Sequence, residues 1–164
     1  MKVKTAYMGL FCAVAIILGY VETLIPISIG IPGVKLGLAN LAVLLVLLVY
    51  GWKEGATVSA VRILVIGFMF GNLFSILYSV AGASLSLLVM TLLKKTGAFG
   101  TVGISVAGGV SHNLGQMAVV LLVFHSVGYL YYLPVLLISG VITGFLVGIV
   151  VWQVEQRIGA VIKK

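Results

Sequence analysis

The sequence contains no aspartate, and its acidic residues are Glu22, Glu54 and Glu155. Chemistry that needs clustered carboxylates is therefore excluded, including the Asp-rich motif that holds magnesium and diphosphate during prenyl-chain synthesis. The sequence also lacks a GxxxxGK[ST] loop, so nucleotide hydrolysis would have to occur on another polypeptide. Cys12 is the single cysteine, which excludes an intrachain disulfide. These absences predict a chain that is not itself an enzyme.

Charged residues are scarce, at 8% of the 164 residues against roughly 25% in a soluble domain. Hydrophobic residues make up 62%. A water-soluble fold of this length needs a polar surface that so few charges cannot supply. The net charge of +7 is scattered between apolar runs and forms no basic face of the kind that binds nucleic acid. The sequence therefore predicts an all-α protein embedded in a membrane.

Charges and Gly, Pro and Asn breakers divide the chain into six apolar segments. A helix that crosses a bilayer needs about 20 mostly apolar residues. The predicted spans are residues 5–25, 36–50, 56–70, 73–93, 102–125 and 133–152. We predict a six-helix bundle that forms one integral membrane domain over residues 1–164.

Basic residues indicate the orientation of this bundle, because Lys and Arg accumulate in cytoplasmic loops. If both termini are cytoplasmic, Lys35 is the single basic residue of the external loops. The cytoplasmic ones are then Lys2, Lys4, Lys53, Lys94, Lys95, Arg157, Lys163 and Lys164. An N-terminal secretory signal is disfavoured, because Glu22 and two prolines stand where a cleavage site is expected. We predict a multi-pass protein of the plasma membrane with both termini in the cytoplasm.

Small residues recur at helical spacing in several spans, and such residues let helices approach closely in lipid. Gly140, Gly144 and Gly148 form a ridge on the sixth span, which predicts helix packing. Gly9 and Ala13 are four residues apart on the first span and either pack internally or dock another membrane protein. Two further faces with the same spacing are Ser75, Ser79, Gly82 and Ser86 on the fourth span, and Ser105, Gly109, His112 and Gln116 on the fifth.

Arg62 is the one basic residue inside a predicted span. A charge near the bilayer centre costs at least about 2.5–3.5 kcal/mol, so such residues face the bundle interior or a wet cavity. Arg62 either has such an interior role or extends its side chain to the cytoplasmic headgroups. In the interior its donors would be satisfied by backbone carbonyls, by Asn113 or Gln116, or by a bound anion.

The fifth span carries the densest polar cluster at membrane depth, formed by Ser111, His112, Asn113 and Gln116. It is either a hydrogen-bond network between helices or part of a ligand site. His112 and His125 have no cysteine or carboxylate nearby in the sequence, so no metal site is predicted. An intramembrane enzyme that uses His112 is a further alternative, although no spacing specifies a nucleophile and its base.

Further polar residues fall near the predicted external end of the bundle. Glu22, Lys35 and Asn40 flank the Pro- and Gly-containing first loop, and Asn72 and Tyr78 lie near the next external turn. Together with the fifth span they could line a pocket that opens outward. The alternative for Glu22 and Lys35 is a loosely paired couple at the membrane interface, which contributes little stability.

Five stretches resemble the Gx transporter family, which is also named heptaprenyl diphosphate synthase component I. They are PGVKLGLANLAVLL (32–45), GWKE (51–54), the segment from Arg62 through FGNLFSILYSVAG (70–82), GGVSHNLGQ (108–116) and YYLPVLLISGVITG (131–144). The resemblance covers nearly the whole chain. It implies a fold similar to the substrate-binding S components of energy-coupling factor transporters, with six helices, cytoplasmic termini and a ligand site near the external side.

The resemblance also implies partners. S components dock a transmembrane coupling protein through an Ala-xxx-Ala motif on the first helix, and Gly9 and Ala13 occupy that spacing here. Two partner ATPases would use ATP, and this chain would hold no cofactor of its own. The first loop would gate the site, with Pro26 and Pro32 stiffening it, Gly30 and Gly33 as hinges and Lys35 at its end.

We therefore expect a bacterial membrane subunit that captures a small molecule from outside for ATP-driven uptake. Its substrate-binding residues would be Asn40, Arg62, Asn72, Tyr78, His112, Asn113 and Gln116. Gene contexts of the family point to a flavin, an isoprenoid precursor or a quinone-related compound. The alternative is a non-transporting subunit that anchors or activates a polyprenyl diphosphate synthase through Lys94, Lys95 and the basic C-terminal tail.

Overall fold

The computed structural model describes residues 2–25 and 37–162, with side chains for residues 5–25 and 37–157. Within these residues the chain forms six α-helices and one short 3-10 helix, and no strand. The elements are α1 (Lys2–Leu24), α2 (Leu38–Val49), α3 (Trp52–Phe70), α4 (Leu73–Thr96), α5 (Thr101–Phe124), the 3-10 helix (Val127–Tyr132) and α6 (Leu133–Ile162). Each apolar segment of the sequence forms one helix.

Helices α3 and α6 extend furthest beyond their predicted segments. Helix α3 begins at Trp52 instead of residue 56, because Gly51 adopts a φ of 116° that ends the preceding turn and Glu54 lies in the first turn. A carboxylate there interacts favourably with the positive end of the helix dipole. Helix α6 continues to Ile162 instead of residue 152, past the polar residues that end its apolar part.

Four stretches of helix are long and apolar enough to cross a membrane: Thr5–Leu24, Leu73–Thr96, Thr101–Phe124 and Val127–Arg157. Helix α2 is apolar but has only 12 residues, so it is roughly 18 Å long at 1.5 Å per residue. Helix α3 has 19 residues but carries Lys53, Glu54 and Arg62. These properties are those of a membrane-embedded, all-helical protein.

The helices form two groups of three. Helices α1, α2 and α3 contact one another, and α5 packs between α4 and α6. The two groups meet where α3 contacts α4 and where α2 contacts α6. The outer surface is apolar, with large side chains such as Phe68, Leu73 and Leu122 strongly exposed. An apolar exterior of this kind suits lipid as the surrounding solvent.

Helix α2 supplies the centre of the apolar core. Seven of its twelve residues are buried, including every residue from Ala42 to Leu47. Leu44, Leu45 and Leu47 pack against Met90, Ile104, Val147 and Val151 of the second helix group. Ala42 and Val46 pack against Ala15 of α1 and Val58 of α3. The second half of α2 thus fills the space between the two helix groups at one end of the bundle.

Polar contacts tie the helices together at that same end. The Lys94 ammonium donates hydrogen bonds to the carbonyl oxygens of Leu47 and Leu48, at 2.8 and 2.9 Å, and so satisfies acceptors at the end of α2. The Thr101 hydroxyl donates to Oε2 of Glu155 at 2.7 Å, which joins the start of α5 to the late part of α6. Lys94 and Glu155 therefore lie at the filled end of the bundle.

Glycines bring α5 and α6 into backbone contact. A Cβ at Gly144 would lie 2.7 Å from the Cα of Val106, and one at Gly148 would lie 2.8 Å from the Cα of Val102. A Cβ at Gly140 would lie 3.0 Å from the carbonyl oxygen of Gly109. Real Cβ atoms do not approach backbone this closely, so the predicted glycine ridge of the sixth span is a helix-packing face.

We expect Gly144→Ala to destabilise the protein by about 1–3 kcal/mol, because the two helix backbones would have to separate. The matched control is Gly103→Ala, since a Cβ at this exposed position of α5 would meet only Phe99, at 3.6 Å or more. The control should be neutral or slightly stabilising. Thermal unfolding in detergent measures both, and equal transition temperatures for the two variants would contradict the packing assignment.

Candidate functional site

A cavity of about 160 Å³ lies at the opposite end of the bundle from the apolar core. Because successive helices run in alternating directions, the late parts of α1 and α3 and the early parts of α2, α4 and α6 meet there, with the middle of α5. The polar residues among its lining are Glu22, Thr23, Asn40, Arg62, Ser75, Ser79, His112, Asn113, Gln116 and Thr143. Both helix groups contribute, so the cavity occupies the space that α2 does not fill.

The structure brings five of the seven candidate binding residues to this cavity: Asn40, Arg62, His112, Asn113 and Gln116. They come from three helices: Asn40 from α2, Arg62 from α3 and the other three from α5. Helix α6 adds Thr143 to the lining. Gln116 is 1% exposed and Arg62 is half-buried, so the lining is inside the bundle.

Asn72 and Tyr78 lie outside the cavity lining, which differs from the prediction. Asn72 is exposed and caps α4, where its Oδ1 accepts a hydrogen bond from the N–H of Ser75 at 2.8 Å. Tyr78 stacks on Phe74, with 6.0 Å between ring centroids. It follows Ser75 and precedes Ser79, but successive residues are about 100° apart around a helix, so it points to another side. The sequence located the turn correctly but not the face.

Ser75 and Ser79 line the cavity although their spacing suggested a packing face. The next small residue of the same helix face, Gly82, does pack against α5. A Cβ at Gly82 would lie 2.9 Å from Nε2 of His112 and 2.8 Å from Cγ of Gln116. The small residues of α4 thus serve packing near the middle of the helix and open space near its start.

Arg62 is the charged residue that sequence reasoning placed at membrane depth, and its side chain lines the cavity. Its Nε atom is buried without a hydrogen-bond partner. The interior interpretation of Arg62 is therefore favoured over extension to the cytoplasmic headgroups. The cavity is the place where the remaining donors of its guanidinium can be satisfied.

From the sequence, Glu22 is interpreted either as part of an outward-opening pocket or as a loose partner of Lys35. It lines the same cavity as Arg62 and interacts with it electrostatically. The backbone N–H of Gly37 donates to Oε1 of Glu22 at 2.6 Å, which ties the end of α1 to the start of α2. The expected partner, Lys35, lies outside the described residues. The scarcity of acidic residues could have indicated Glu22 as the partner of Arg62. Of the three glutamates, Glu54 is near the α2–α3 turn and Glu155 is in the C-terminal segment, which leaves Glu22.

Asn113 is a link between helices. Its Nδ2 donates to the carbonyl oxygen of Leu136 at 2.6 Å and lies 3.4 Å from Oγ of Ser139. Asn113 thereby joins α5 to α6 beside the glycine contacts. Asn113 therefore fits the interpretation of the polar cluster as a hydrogen-bond network between helices. Gln116 and His112 instead lie against α4 and line the cavity.

The remaining candidates have different positions. The proposed gate residues Pro26, Gly30, Pro32, Gly33 and Lys35 lie outside the described residues. Gly9 and Ala13 are on an exposed face of α1, away from the cavity. In the part of the chain that the structure describes, no three His, Cys, Asp or Glu residues are grouped as a metal site would require.

A family model described as heptaprenyl diphosphate synthase component I matches residues 11–154 of the chain. No curated protein and no solved structure matches the chain. The matched region contains every described residue of the cavity lining, from Gly19 to Thr143.

We expect Asn113→Ala to destabilise the isolated protein by about 0.5–1.5 kcal/mol, because it removes a hydrogen bond between two helices. Ser139→Ala is the control, since the Ser139 hydroxyl bonds the Leu136 carbonyl of its own helix at 2.9 Å. Thermal unfolding of both variants in detergent checks this. A larger loss for Ser139→Ala than for Asn113→Ala would show that Asn113 is not the link.

Proposed function

The chain belongs to the heptaprenyl diphosphate synthase component I family, and from that premise we propose that it is the substrate-binding membrane subunit of an energy-coupling factor transporter. It captures a small molecule from the external side, and partner subunits drive the uptake. The observation that carries this proposal is a cavity lined by Arg62 and other polar side chains inside a bundle whose surface is apolar.

The proposal includes six crossings and cytoplasmic termini in a bacterial plasma membrane. The charged contacts support this orientation, because Lys94 of α4 bonds the end of α2 and Glu155 of α6 bonds the start of α5, both at one end of the bundle. Positive charge accumulates on the cytoplasmic side. The cavity then opens on the external side, where an uptake protein must first meet its substrate.

The cavity has a size suited to a small molecule. A cavity of about 150 Å³ in another protein binds benzene, so about 160 Å³ accommodates one ring or a chain of similar volume. Arg62, His112, Gln116 and Asn40 are the side chains we assign to binding. Asn113 contributes by holding α5 against α6.

The partners are a transmembrane coupling protein and two ATPases that consume ATP. Their docking face is the exposed side of α1 that carries Gly9 and Ala13. Apart from the backbone of α1 itself, no atom of the described residues lies within 4 Å of a Cβ placed at Gly9. Tyr7, Leu10 and Ile17 are exposed on the same helix, whereas Ala15 is fully buried against α2. Small residues without an internal partner leave space for the backbone of another helix.

The alternative is a non-transporting subunit that anchors or activates a polyprenyl diphosphate synthase. The name of the family model and the exposed side chains of Lys95 and Arg157 favour it. Such a surface would contact an acidic partner or anionic headgroups. Lys94 contributes less, because its ammonium is already bound to the Leu47 and Leu48 carbonyls.

We expect the double variant Gly9→Leu with Ala13→Leu to remain folded but to lose its partners, because the added side chains occupy the space of the docking helix. The measurement is co-purification of the tagged protein with a coupling protein and two ATPases from native membranes. The matched control is Ala60→Leu with Ala118→Leu, two exposed alanines on α3 and α5. Unfolding temperatures should be similar for both doubles.

Two results would count against this proposal. Retention of the coupling protein by the Gly9 and Ala13 double variant would remove the docking face. Recovery of a polyprenyl diphosphate synthase with the wild-type protein, and no ATPase, would favour the alternative function.

A further inference from the structure

Two opposite charges line the cavity from different helices. Glu22 is near the end of α1, and Arg62 is in the middle of α3. They interact electrostatically, but among the described residues they form no direct ion pair. The cavity that both line therefore leaves room for another molecule to reach both charges.

Within residues 5–25 and 37–157, both charges are incompletely satisfied. The Nε atom of Arg62 is buried without a hydrogen bond, and Glu22 is held at Oε1 by the N–H of Gly37. A charge at membrane depth costs about 2.5–3.5 kcal/mol or more unless it has a partner. A molecule that pairs with both groups recovers more of this penalty than a molecule that pairs with one.

The pair also excludes ligands of a single charge. A simple anion would be attracted by Arg62 but repelled by Glu22. A simple cation would be attracted by Glu22 but repelled by Arg62. Discrimination of this kind comes from the unfavourable contact as much as from the favourable one. Arg62 alone would predict an anionic ligand, whereas the two residues together predict a molecule with both charges.

We propose that the cavity binds a small zwitterion, with its anionic group at Arg62, its cationic group at Glu22 and a skeleton no larger than one six-membered ring. The size limit follows from the volume of about 160 Å³. This inference deepens the proposed function, on which it rests, by naming the class of substrate. Ser75, Ser79 and Thr143 supply hydroxyls around the ligand.

Three molecules of matched shape test the proposal on the purified full-length chain in detergent. Piperidine-4-carboxylate carries both charges, cyclohexanecarboxylate carries the negative charge alone, and 4-methylpiperidine carries the positive charge alone. Leucine, 4-methylpentanoate and 3-methylbutylamine form a second set on an open chain. A ligand that binds the folded state raises the unfolding temperature in proportion to its concentration and affinity.

We expect at least one of the two zwitterions to raise the unfolding temperature, with an affinity at least about tenfold higher than that of its single-charge analogues. Glu22→Gln should bring the affinity of the anionic analogue to that of the zwitterion, because the repulsive carboxylate is gone. Arg62→Gln should do the same for the cationic analogue. Glu54→Gln is the control, a neutralised glutamate in the first turn of α3, and should keep the wild-type selectivity.

Equal or better binding of an anionic analogue by the wild-type protein would overturn the inference, and so would the absence of any shift with both zwitterions. Neither result depends on partner subunits. A chain that binds a zwitterion but recovers no ATPase would contradict the proposed transport function and not the ligand class. A chain that recovers its partners but prefers a single charge would contradict the ligand class and not the function.

Discussion

The placement of one guanidinium inside an apolar bundle is the constraint around which the rest of the site is organised. A buried charge in lipid needs a polar surrounding, and Arg62 is provided with one at a single end of the molecule. Glu22, the serines of α4 and the amide of Gln116 all face the same space.

The shape of the cavity follows from the way the helices pack. Glycines bring α5 and α6 into backbone contact, and Gly115 does the same for α5 against Ala81 and Gly82 of α4, so the second helix group is closely packed. Helix α2 fills the gap between the two groups with leucines over its second half. Its first half presents Gly37 and Asn40 instead, which are smaller or polar, and the gap there stays open. A filled end and an open end therefore arise from the sequence of one short helix.

Much of the helical architecture was predictable, because charges and Gly, Pro and Asn residues interrupt the apolar runs. The site was predictable only in part. Polar residues at membrane depth identified Asn40, Arg62, His112, Asn113 and Gln116 as neighbours. The rotation of α4 about its axis places Ser79 at the cavity and Tyr78 away from it. The pattern of apolar and polar residues along α4 is too weak to predict this rotation to within one residue. Glu22 and Arg62 are far apart in the sequence, so no local spacing pattern predicts that they interact.

The central claim is that the cavity around Arg62 is reached from the side of the membrane opposite the basic loops. Reaction of single cysteines with a membrane-impermeant thiol reagent, in intact cells that carry Cys12→Ala, tests it most directly. Ser79→Cys in the cavity lining should react from outside, Lys95→Cys should react only after permeabilisation, and Leu122→Cys on the apolar surface should react in neither case. Reaction of Lys95→Cys from outside, or failure of Ser79→Cys to react from either side, would contradict the account.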